Sequence, residues 1–252
     1  MKPLIITQAF KGLIYFICLS LMLFSDFRNV LYDSEPDYLA NALYILQSGY
    51  PINSHHPGTV TYYLVSFVLL LTKSFSFDLA STIYVARIFL CALGSIIIFF
   101  CKSLKFSEII TVFLFTALLD GFYVTLNVIS AELLLLPLSF LLIDQIKRNK
   151  SSIGAMSLVY GLMLNIKFSS ILLLPYLLTH FIFTFKMKKI YKLTKFVALS
   201  LIFFIFLSFP VLSTFHFSII RSLVMMIQLK ELIFNNPTYL YFFFIIFFTL
   251  FI

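Results

Sequence analysis

At 252 residues, 62% hydrophobic and only 11% charged, the chain departs from soluble proteins, which run near half apolar and a quarter charged, and no stretch has soluble composition for long. Its net charge of +8 sits in short basic clusters between apolar runs, which implies a membrane. No basic stripe lies beside stacking aromatics, which argues against nucleic acid as a partner. The runs are continuously apolar, which excludes a β-barrel and predicts an all-α fold, a polytopic transmembrane helical bundle of about seven to nine spans.

The first apolar run, 12–25, follows Lys2 and Lys11. No Ala-x-Ala site comes after it, so it is expected to remain as a first helix and signal anchor, with the N-terminus cytoplasmic. A polar stretch follows, reading Asp33-Ser34-Glu35-Pro36-Asp37-Tyr38, then Gly49-Tyr50-Pro51, then His55-His56-Pro57-Gly58-Thr59. Pro36 predicts that a helix begins here, with Glu35 near its N-cap and Asp37 in its first turn. Further apolar runs cover 60–72, 82–101, 107–127, 131–146, 152–166, 168–185 and 196–214.

Lys2/Lys11, Lys102/Lys105, Lys147/Arg148/Lys150 and Lys186/Lys188/Lys189/Lys192/Lys195 hold 12 of the 18 Lys and Arg residues. Placing all four clusters in the cytoplasm requires an even number of crossings between them. Three runs lie between Lys11 and Lys102. The 60–72 run reaches roughly 20 Å as a helix against a hydrocarbon core of about 30 Å, so it is the one expected not to cross. Residues 1–252 are thus read as a single membrane domain of the cytoplasmic (inner) membrane. Within it, 26–81 form an outer loop with juxtamembrane or re-entrant helices, 82–214 the bundle, and 215–252 an outer segment with an incomplete last span. The final run, 238–252, has no basic flank or polar tail, so a fragment, a split gene or a truncated member of a longer family is expected.

On this topology the ionisable groups collect at the outer face. Asp33, Glu35 and Asp37 offer carboxylates, one of which could act as a general base; capping and solvation account for any one of them. His55 and His56 offer hydrogen bonds to a phosphate or sugar, or form a polar turn before a helix. Adjacent histidines do not readily ligate one ion, so no metal site and no cofactor is implied, with a divalent metal left open. Arg87 and Lys167 suit a phosphate, Arg as a fork and Lys as a point charge; snorkelling to the interface is the alternative. Glu132, in an apolar run, calls for a partner such as Arg87 or Lys167. Cys18, Cys91 and Cys101 fall in apolar spans without metal or disulfide spacing.

The ordered set resembles the GT-C glycosyltransferases that use polyprenyl-phosphate sugars, the group containing protein O-mannosyltransferases and aminoarabinose transferases. The resemblance rests on the acidic stretch Asp33 to Asp37, then Tyr38, Ala42, Leu46 and Gly49, then His56-Pro57-Gly58. It continues with Arg87 in Ala-Arg-Ile-Phe, Glu132, and Lys167-Phe168-Ser169-Ser170. It implies a lipid-linked (polyprenyl phosphate) sugar donor, a lipid, glycan or protein acceptor, and inversion at the anomeric carbon. It also implies a first-loop carboxylate as base: Glu35 aligns best, with Asp33 and Asp37 competing. Gly58 stands where the family has a second proline, and Glu35 where it more often has Asp. A lipid-linked saccharide transporter or flippase, and a non-catalytic or truncated membrane subunit, are the alternative readings.

Overall fold

The computed structural model describes residues 2–25, 35–49, 51, 59–75, 77–111, 129, 132–148, 152–184 and 189–212. Its helices are α1 (Lys2–Ser25), α2 (Glu35–Ser48), α3 (Thr59–Ser74), α4 (Leu79–Phe99), α5 (Glu132–Lys147) and α6 (Ile153–Ile166). A 3₁₀ turn (Phe168–Leu173), α7 (Leu174–Thr184) and α8 (Lys189–Leu212) follow. Residues 106–111 are also helical, and no strand occurs among the described residues. The chain divides into two compact units, Met1–Thr214 and Phe215–Ile252. The second lies outside the described residues.

Two helices hold stretches long and apolar enough to cross a membrane, Ala80–Phe99 in α4 and Tyr191–Ser208 in α8. Ile5–Ser20, Val60–Ser74, Ile153–Ile166 and Ser170–Thr179 are apolar but shorter. Only 17% of the α8 stretch is buried, against 44% of the α4 stretch. The outward face of α8, with Leu201, Ile202, Ile205 and Phe206 exposed, is therefore apolar in a way that suits hydrocarbon better than water.

Several helices outrun the apolar runs that predict them. α1 starts at Lys2 and α8 at Lys189, because lysine is a good helix former and hydropathy marks only the apolar part of a helix. α4 starts at Leu79, capped by Asp78, whose carboxylate accepts from the Ser81 N–H at 2.8 Å. The 168–185 run is not one helix. It divides into the 3₁₀ turn and α7, and Pro175 sits in the first turn of α7, where its missing N–H costs nothing.

Contacts between side chains fix the register. Lys11 of α1 donates to the carbonyls of Cys101 and Leu104 beyond the end of α4, so α1 and α4 run antiparallel. At Gly94 three helices meet: a Cβ there would lie 3.2 Å from both the Tyr15 ring of α1 and Pro137 of α5. Pro137 cannot donate to the Leu133 carbonyl four residues back, and that oxygen lies against Gly94. Further along, Asp144 of α5 accepts from the Leu104 N–H at 3.1 Å and from that of Ser103. These two contacts set α5 parallel to α4.

α6 and α8 form the closest helix pair. Ser157, Gly161 and Asn165, four residues apart, share one face of α6. Ser157 Oγ donates to the Phe196 carbonyl at 3.2 Å and Asn165 Nδ2 to Ser208 Oγ at 2.8 Å, so the two helices are parallel. A Cβ on Gly161 would come 2.7 Å from Phe203 Cβ and 2.9 Å from the Ser200 carbonyl. Only glycine permits this approach, a small-residue seam of the kind that joins helices where water does not drive them together.

Candidate functional site

α2 opens with Glu35 and Pro36, as the sequence predicts. It buries Tyr38, Leu39, Ala42 and Ile45, which recur at helical spacing and therefore share one face. That face packs on α3, with the Tyr38 and Tyr62 rings 5.1 Å apart. Asp37 lies exposed beside this contact. Burial raises the pKa of the Tyr62 hydroxyl, and the charge of Asp37 adds to the effect. Of the other residues in the motif, Leu46 is exposed. Gly49 ends α2 with φ of 83°, a left-handed geometry that favours glycine. Its N–H bonds the Ile45 carbonyl at 2.8 Å, and its own carbonyl accepts from Tyr63 Oη at 3.0 Å. α2 and the start of α3 are thus tied together at both ends of α2.

The start of α3 is held by a residue far along the chain. Asn165, fully buried at the end of α6, accepts the Val60 N–H on Oδ1 at 3.1 Å while Nδ2 bonds Ser208 of α8. One amide thereby joins α3, α6 and α8. It also satisfies one of the four N–H groups that every helix start leaves without an intrahelical partner. The Thr61 hydroxyl in the same turn is buried and finds no partner among the described residues.

Two residues past Asn165, Lys167 adopts extended backbone (φ −150°, ψ 113°) between α6 and the 3₁₀ turn. Its N–H bonds the Met163 carbonyl and its carbonyl accepts the Ser170 N–H, each at 2.9 Å. Ser170 Oγ donates to the Met163 carbonyl at 3.1 Å and Tyr160 Oη to the Ser170 carbonyl at 3.2 Å. The backbone that presents Lys167 is therefore rigidly stitched, and the side chain is half-buried.

Arg87 is 6% exposed on α4, on the face that also buries Ile83, Ala86 and Leu90. It lies two turns, about 10 Å of helix, from the three-helix contact at Gly94. Glu132 begins α5 next to Leu133, which touches Gly94. The Val60–Asn165 bond holds the beginning of α3 beside the end of α6, two residues before Lys167. Asp33, His55 and His56 lie outside the described residues, as do the side chains of Glu35 and Glu132.

Sequence reasoning passed over Asn165, although an Asn in the apolar run 152–166 was a readable signal. It also passed over a cluster at the opposite end. There Lys11 is 6% exposed and Asp144 0%. Arg148, one turn on, reaches Asp144 Oδ2 at 2.7 Å, and Lys147 pairs with Glu108 at 2.6 Å. Among the described residues no three of His, Cys, Asp and Glu gather where they could hold a metal ion. Comparison with protein-family models, with curated proteins and with solved structures finds no match to the chain.

Proposed function

We propose that the chain is a multi-pass glycosyltransferase of the cytoplasmic membrane, GT-C-like, with its N-terminus in the cytoplasm. It would move a sugar from a polyprenyl-phosphate donor to an acceptor hydroxyl at the outer face. The observation that carries the reading is the Val60–Asn165 hydrogen bond. It ties the start of α3, directly after His55-His56-Pro57-Gly58, to a point two residues from Lys167. Val60 and Asn165, more than 100 positions apart and each close in sequence to residues singled out as phosphate or sugar ligands, are joined by this part-buried bond.

In this mechanism Glu35, or Asp33 or Asp37 in its place, takes the proton from the acceptor hydroxyl. The oxygen attacks the anomeric carbon, a new C–O bond forms with inversion, and the bond to the lipid phosphate breaks. Arg87, Lys167 and His56 stabilise the charge gathering on the departing phosphate, the electrostatic work that usually dominates such transfers. The acceptor is a lipid, glycan or protein.

The test is glycan analysis of cells expressing Glu35→Gln or Asp33→Asn at wild-type level. Loss of one glycan in either variant supports the assignment. Unchanged glycans in both, and in Asp37→Asn as well, defeat it and leave a saccharide transporter or a non-catalytic subunit.

A further inference from the structure

The end of the bundle opposite the Asn165 joint gathers its charge outward. Lys102 and Lys105 are exposed in the segment after α4, and Lys195 is exposed in the first two turns of α8. The Ser157–Phe196 bond places Lys195 beside the start of α6, and Lys147 ends α5 nearby. The two described acids at this end, Glu108 and Asp144, are already taken by Lys147 and Arg148. Glu108 also accepts the Lys105 N–H at 2.9 Å and feels the charge of Lys105, and no ion pair to Lys102 or Lys195 occurs among the described residues. Apolar side chains border the basic rim on the same helices. Ile5, Ile6, Phe10 and Leu13 of α1 flank Lys11, and Leu201, Ile202, Ile205 and Phe206 of α8 follow Lys195.

We infer that this rim binds anionic phospholipid headgroups, with the acyl chains lying against the exposed faces of α1 and α8. The charge is in cationic excess, with Lys102, Lys105, Lys147, Arg148 and Lys195 against Glu108 and Asp144 among the described residues, and it is continuous with an apolar surface. A soluble phosphate would use only the charge, whereas a phospholipid uses both features. A lysine at the headgroup level enriches anionic lipid about fivefold, and salt weakens the effect. The inference does not depend on sugar transfer and holds whichever side of the membrane this end faces.

The test uses the full chain in mixed micelles of phosphatidylglycerol and phosphatidylcholine with identical acyl chains, with retained lipid measured by mass spectrometry. Wild type should retain phosphatidylglycerol at least about fivefold over phosphatidylcholine. The combined Lys102→Gln, Lys105→Gln, Lys195→Gln variant should bring the ratio close to parity. Lys73→Gln, at the far end of α3, should leave it unchanged. Should the triple variant not fold, raising sodium chloride on wild type decides: the preference must fall. Equal retention by wild type, a preference indifferent to salt, or wild-type retention by a folded triple variant each overturns the inference. So does displacement by inorganic phosphate at equal concentration, which would assign the rim to soluble anions.

Discussion

The two ends of the helix cluster are held by different chemistry. At the basic end the joint is ionic: Lys11 on backbone carbonyls, Asp144 on two backbone N–H groups and Arg148, Glu108 on Lys147. At the other end Asn165, Ser208, Tyr63, Tyr160 and backbone groups make neutral joints. On the proposed function, a joint made of neutral groups suits chemistry at one end and an ionic joint suits anchoring at the other.

The sharpest way to break this contrast is Asp144→Ala. It leaves the buried Leu104 N–H and the half-buried Ser103 N–H and Arg148 without their acceptor, and should cost about 2–3 kcal/mol, measured by unfolding in detergent. Asp144→Asn keeps an acceptor and should cost less. Gly161→Leu tests the seam between α6 and α8. The added side chain meets Phe203 and the Ser200 backbone, for a loss of about 1–3 kcal/mol and wider helix separation by cross-linking. Asn165→Ala tests the neutral joint. It leaves the Val60 N–H unpaired at about 1–3 kcal/mol and should speed exchange of that amide, while exchange at Leu104 stays as in wild type. Glu108→Gln should matter little, about 0–1 kcal/mol, because its ion pair is partly solvated.

The smallest effect is a pH dependence at Asp78. Hydrogen bonds from the Ser81 hydroxyl and N–H hold its carboxyl below the ordinary carboxylate value. Its folded-state pKa therefore lies below the unfolded one. The cap contributes fully above the ordinary carboxylate range and is lost as pH falls through the folded value. Asp78→Asn should flatten that part of the acid unfolding curve, and an unchanged curve would remove the cap from the account.

Much of the fold was legible because backbone in an apolar setting has few options. The runs 60–72, 131–146 and 152–166 match α3, α5 and α6 within a few residues. The start of α2 was readable from Pro36. Lys11 was not: as one of a basic pair before an apolar run it reads as a flank, yet it lies inside α1 and is buried on carbonyls supplied some 90 residues later. Asp144 hid for a similar reason. Arg148 four residues on was a readable partner, but the backbone N–H groups of Ser103 and Leu104 that Asp144 also holds carry no side-chain signature. At the candidate site the residue types were readable, but the joint through Asn165 depends on tertiary contact between α3 and α6, which no local pattern records.

The parallel arrangement of α6 and α8 has a consequence for assembly. Two parallel helices cannot form as a hairpin, since the chain must first run back along α6. That return is made by a six-residue 3₁₀ turn and the eleven-residue α7, together roughly 28 Å of path. Until α8 has emerged from the ribosome and docked, Asn165 and Ser157 sit on α6 without their α8 partners. The seam therefore closes only after α8 has docked, and the joint at Asn165 is complete only then.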